Sequence, residues 1–227
     1  MIDPDRRNFD REYVTKELTR LDLVLSEELS IYLLAGAVMT IAGLKPEIKA
    51  IDVIVEDERA HEILVGSLEK CKYYLLQPRH LSRPYNELSA TTMQNLEGFR
   101  WEIFAKYVAK KLALTNAIRL RAGKIFSGGE LTAFRLSNED MFLMKGMTER
   151  DGDLKEMALI ARAGIDYELV LNECMQLSEK DRRGNIWEAS LRQDYSRILG
   201  SHMSPKVRKR KEARQMNIRS WNAPGET

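Results

Sequence analysis

The spacing of apolar side chains over the first 136 residues switches repeatedly between helical and extended periods. Tyr13, Leu18, Leu21, Val24, Leu25 and Leu29 recur at helical intervals and predict an amphipathic helix over Asp10 to Leu29. Ile31 to Leu34 is a short β-branched and aliphatic run that stops at Ala35-Gly36. Ala37 to Ala42 is then helix-compatible up to Gly43. Past the break at Lys45-Pro46, Ile48 to Val55 is a nearly continuous apolar strand interrupted only by Lys49 and Asp52.

The alternation continues downstream. Ile63, Leu64 and Leu68 give helical periodicity to Glu58 to Lys70, and Tyr73 to Leu76 reads as a short strand. Leu88 to Leu96 and Phe99 to Tyr107 read as further strands, the second containing Glu102. Leu112 to Ala122 reads as a short helix. Lys124 to Leu136, with Gly128-Gly129 at its middle, reads as a hairpin.

From Ser137 the pattern is helical. Ser137 is an N-cap followed by Glu139 and Asp140 in the first turn of a helix through Met147. Asp153 to Ala163, Tyr167 to Glu179 and Ile186 to Leu199 give three more helices, the first and last ending at Gly164 and Gly200. The expected fold class is therefore α/β (α+β): a mixed sheet flanked by helices over residues 1–136, a helical part over 137–200 and a basic tail over 201–227.

Composition narrows the class. With 227 residues and 44% hydrophobic content, the chain can bury a substantial core, which excludes a disordered or fibrous protein. Cys71 and Cys174 fit no CxxC pairing, so neither a disulfide framework nor a zinc site is expected. The N-terminus is charged from its first residues, and no apolar run is long enough for a membrane span. A cytoplasmic protein without a membrane partner is the expectation.

The net charge of +2 conceals an asymmetry. Ser204 to Thr227 carries Lys206, Arg208, Lys209, Arg210, Lys211, Arg214 and Arg219 against Glu212 and Glu226, a net +5, which leaves −3 on the body. Such a tail either meets an anionic partner, RNA or DNA first, or is a solvated segment. Trp221, beside Arg219, can stack on a base, fill a groove on a protein partner or dock back on its own domain.

Chemistry concentrates in Tyr32 to Glu56, YLLAGAVMTIAGLKPEIKAIDVIVE. A strand ends in a small-Gly pair, a helix follows, and the next strand carries an acid. This layout resembles the polymerase-β-like nucleotidyltransferase superfamily, in which a Gly-Gly or Gly-Ser pair opens the helix and an Asp-x-Asp sits on the following strand. Small residues at such a turn let a triphosphate reach the N–H groups of a helix start. Carboxylates at i and i+2 of a strand share a face, where they can hold magnesium ions that bridge nucleotide phosphates.

The resemblance implies that Ala35 and Gly36 are the nucleotide-binding pair and that Asp52 is the second strand acid. The third acid falls on Glu102 in RWEIF, and Asp52 with Glu102 would bind Mg2+ and act catalytically. The first strand acid falls on Ala50, whose methyl group cannot bind a cation. Taken singly, Asp52 reads equally as a strand-end residue capping a loop.

Leu136 to Gly164, LSNEDMFLMKGMTERDGDLKEMALIARAG, resembles the helical segment after the core of minimal and abortive-infection-type nucleotidyltransferases. There a Lys, an Arg and an Asp recur at spacing matched by Lys145, Arg150 and Asp153. These would contact the triphosphate or an RNA backbone. The other reading of the segment is an exposed helix-loop-helix held by ion pairs.

Three functional expectations follow. The first is a nucleoside triphosphate-binding protein that transfers a nucleotidyl group to an RNA or protein hydroxyl, its activity compromised by Ala50. The second is a non-catalytic adaptor on the same fold that binds nucleic acid or a protein partner through its tail. The third is one half of a toxin and antitoxin pair.

Overall fold

A computed structural model describes residues 7–77, 91–108, 112–148 and 153–180. Helix α1 (Arg11–Asp22) leads into β1 (Leu29–Leu33), α2 (Ala35–Ile41), β2 (Ala50–Val55), α3 (Glu58–Lys70) and the two-residue strand β3 (Tyr74–Leu75). Strands β4 (Thr91–Gln94), β5 (Arg100–Ala105), β6 (Tyr107–Val108) and β7 (Leu112–Ala113) precede helix α4 (Asn116–Arg121). The hairpin β8 (Gly123–Ser127) and β9 (Leu131–Arg135) comes next, followed by α5 (Asn138–Thr148), α6 (Asp153–Arg162) and α7 (Tyr167–Lys180).

Seven strands form one mixed sheet in the order β3-β4-β5-β2-β1-β9-β8. β1 runs antiparallel to β2 and parallel to β9, and β2 runs parallel to β5. The α/β alternation and mixed sheet expected from the sequence are both present. The expected strand at Leu88 to Leu96 is represented by β4, while residues 88–90 and the helix expected over Ile186 to Leu199 lie outside the described residues.

Three elements depart from the sequence reading, each for a local reason. The first helix ends at Asp22, because the Asp22 carboxylate accepts the backbone N–H groups of Gly129, Glu130 and Leu131 instead of continuing a helical face. The long strand expected to reach Tyr107 breaks at Lys106, which has φ 61°. Tyr107 and Val108 then pair with Leu112 and Ala113, so the expected helix from Leu112 starts only at Asn116, where the Thr115 hydroxyl caps the N–H of Ile118.

Helices α1 and α3 cover one face of the sheet: α3 packs on β5, β1 and β2, and α1 on β9. Asp57 caps α3 through the N–H of Ala60, and Leu64 and Leu68, one turn apart, are both buried. Each such side chain contributes about 1.5–3 kcal/mol of transfer free energy. β2 is the central strand, and Ile51, Val53, Ile54 and Val55 are inaccessible to solvent.

The helical region is fastened by charge as well as by apolar contact. Ser137 caps α5, accepting from Asp140 N at 3.2 Å while its hydroxyl donates to Asp140 Oδ2 at 2.8 Å. Arg121, ending α4, grips both oxygens of Asp140 and reaches Glu173 of α7. No helix among the described residues is long and apolar enough to cross a membrane.

Candidate functional site

Strand pairing brings the two expected acids together. On the parallel strands β2 and β5, Asp52 is the register partner of Glu102, and Ala50 is the partner of Arg100. Register partners on parallel strands share a face, as do residues two apart on one strand. Ala50, Asp52, Arg100 and Glu102 therefore stand together on the face opposite α3. The same face continues onto β4, where Thr92 pairs with Glu102 and Gln94 with Arg100.

Burial along this face is graded. Ile54 and Phe104 are buried at one end, Glu102 is 2% exposed, and Asp52, Ala50, Arg100 and Gln94 are half-buried. The face thus opens toward the N-terminal ends of β2 and β5. At the other end, Glu56 accepts the Tyr32 hydroxyl at 3.1 Å and pairs with Arg119 of α4 at 2.6 Å. Burial, aided by the charge on Glu56, pushes the Tyr32 phenol up to about 12, and its ring stacks on Phe134.

The small-Gly pair sits beside this opening. Leu34 N donates to the backbone oxygen of Asp52 at 2.9 Å, which anchors the start of α2 to the acid-bearing strand. Leu34 is the N-cap and supplies no side-chain hydrogen bond, and the first turn of α2 contains no acid. Gly36 has an ordinary negative φ, and a Cβ there would rest 3.9 Å from Ile48 Cγ2. Nothing among the described residues demands glycine at this position.

Lys145 is buried and pairs with an acid of the helical region. Its Nζ lies 2.7 Å from Glu156 Oε2 of α6, and the other oxygen of Glu156 meets Lys45 at 2.8 Å. Burial alone would raise the Glu156 carboxyl, but the two ammonium groups outweigh it and hold it below the usual carboxylate range. Asp153 is the first residue of α6. Arg150 and the tail residues Lys206, Arg208, Lys209, Arg210, Lys211, Arg214 and Trp221 lie outside the described residues.

Arg100, Gln94, Lys45 and Glu156 carry no motif in the sequence; Arg100 and Gln94 join the acid face only through the pairing of β4 and β5 with β2. Cys71 and Cys174 are both buried, in keeping with a role as small apolar residues. Surface depressions of about 500 Å³ and 560 Å³ lie along α1, near Thr40 and Lys45 and near Phe9 and Glu47, and neither is lined by Asp52 or Glu102. Among the described residues, no group of three or more His, Cys, Asp or Glu side chains is placed to hold a metal ion. No protein-family model and no curated protein matches the chain.

Proposed function

We propose that this chain is a nucleotidyltransferase-like protein that binds a nucleoside triphosphate at the open end of the Asp52–Glu102 face. The observation that carries this reading is the register pairing of Asp52 with Glu102, beside the anchored start of α2. Two carboxylates on adjacent strands suit one Mg2+ that keeps its waters and is completed by substrate phosphates. Bound there, Mg2+ would neutralise phosphate charge as the α-phosphorus is attacked.

Ala50 removes the side chain that a second, shared cation would need, so the donor set fits one cation and not two. In transfer, a hydroxyl of RNA or protein would attack the α-phosphorus, pyrophosphate would leave, and the hydroxyl proton would pass to a base. Asp52 is half-buried and Glu102 is enclosed, so Asp52 would be the acid to take that proton. Binding is therefore expected to outlast efficient turnover.

The test is calorimetric titration of each nucleoside triphosphate, with and without magnesium, into the full chain and into Asp52→Asn. Magnesium-dependent binding that Asp52→Asn loses is the expected result. If no triphosphate binds the full chain, the nucleotide reading fails, and the basic tail becomes the feature with an unassigned ligand.

A further inference from the structure

We infer that Thr92 is a positioning residue for the cation site: its hydroxyl holds a water of the ion that Asp52 and Glu102 bind. This rests on the nucleotide reading above, in which those two acids take one Mg2+. Thr92 on β4 is the register partner of Glu102 on β5, which is in turn the partner of Asp52 on β2. Register partners share a face, so three oxygen-bearing side chains form one row across three adjacent strands.

What sets Thr92 apart is its hydroxyl. Thr92 is 2% exposed, and its Oγ1 is buried without a hydrogen-bond partner among the described residues. A buried hydroxyl left unpaired costs free energy that a fold ordinarily avoids, by pairing it within the protein or with a held water. Its neighbour shows the ordinary outcome: Thr91, on the opposite face of β4, meets His61 Nε2 of α3 at 2.8 Å. The strand cannot turn Thr92 away, because β4 lies between β3 and β5 and the Thr92 carbonyl accepts from Leu76 N at 2.9 Å. Asp52 and Glu102 have contacts of their own within the protein. A carboxylate offers about four lone-pair sites, so such contacts leave room for a ligand.

Spacing decides how Thr92 acts. Asp52 and Thr92 stand two strand positions apart, a separation of about 9.5 Å. With Mg–O bonds of about 2.1 Å, one ion touching both side chains spans only about 8 Å between their Cβ atoms, which is too short. A water on the Thr92 side of the ion adds about 2.8 Å and closes the gap, whichever rotamer the hydroxyl takes. Glu102 lies between them in the row, as the ligand next to that water. Outer partners of this kind orient what the metal binds and tune its affinity.

Titrating Mn2+ into the full chain, with the free ion followed by electron paramagnetic resonance, tests this without any turnover. The full chain is expected to bind Mn2+. Thr92→Val, which keeps the shape and removes the hydroxyl, is expected to weaken binding about tenfold, Thr92→Ser to retain it and Asp52→Asn to abolish it. Without metal, Thr92→Val should melt no lower than the full chain, because an unpaired polar group has been removed. A lower melting temperature for metal-free Thr92→Val, or Mn2+ binding by that variant within twofold of the full chain, overturns the inference. If Asp52→Asn abolishes binding in that case, the acid pair stands as a cation site and Thr92 alone falls. If the full chain takes up no Mn2+, the inference falls, and the triphosphate titration decides the nucleotide reading by itself.

Discussion

Replacing Arg121 by Met is the sharpest test of what holds the helical region to the sheet. Arg121 donates to Asp140 at 2.7 and 3.2 Å and to Glu173 at 2.9 Å, and the exposures of the three side chains are 22%, 1% and 9%. Removing the guanidinium leaves two carboxylates without their counter-charge, one of them fully enclosed. Breaking a buried ion pair in this way costs about 3–5 kcal/mol. Because Arg121 and Glu173 retain some access to water, the lower end, ~3 kcal/mol, is expected.

That is a large share of the roughly 5–15 kcal/mol that stabilises a typical domain. In urea unfolding followed by circular dichroism, with a slope of about 1–3 kcal/mol per molar, the midpoint should fall by about 1–3 M. Adding Asp140→Asn and Glu173→Gln to the same chain should restore much of the loss, since uncompensated charge and not lost volume is the cause. A midpoint shift equivalent to less than ~1 kcal/mol for Arg121→Met, or no recovery in the triple variant, would refute this account.

Two further outcomes concern other charged contacts. A Cβ at Gly128 would collide with the Asp22 carboxylate, which can retreat only by releasing its three backbone N–H groups. Gly128→Ala should therefore cost about 1–2 kcal/mol in thermal unfolding and much less in an Asp22→Ala background. Glu156 has a depressed folded-state pKa, so its contribution to stability is present above the usual carboxylate range and lost as pH falls through the folded value. Glu156→Gln should flatten the acid limb of a stability-versus-pH curve while leaving the slope near neutrality unchanged; an unaltered acid limb would contradict the pairing.

The sequence was most legible where one period ran unbroken. The apolar run from Ile48 and the helical spacing over Glu58 to Lys70 both correspond to observed elements, because β2 is buried along most of its length and α3 has one apolar stripe. Boundaries were lost where a tertiary contact decided them, as at Asp22, which reaches across more than a hundred residues to the β8–β9 turn. The acids of the candidate site could be named from the family resemblance, but their alignment could not. Asp52 and Glu102 face each other only because β2 and β5 pair without a slip, and a one-residue shift would have put them on opposite faces. The partnership of Ala50 with Arg100 is hidden for the same reason, and the capture of Lys145 by Glu156 depends on how α5 and α6 pack.

The place of β9 also has a consequence for how the chain reaches this structure. β1 is made early in synthesis, yet one of its two edges pairs with β9, whose residues emerge about a hundred positions later. Until Leu131 to Arg135 leave the ribosome, Leu29 to Leu33 present an apolar strand with an unsatisfied row of backbone N–H and C=O groups. Closing so long a loop carries an entropic cost that must be met before the β1–β9 contacts repay it, which slows folding. The hairpin of β8 and β9, drawn toward Asp22 at the end of α1, is the latch whose arrival ends that vulnerable interval.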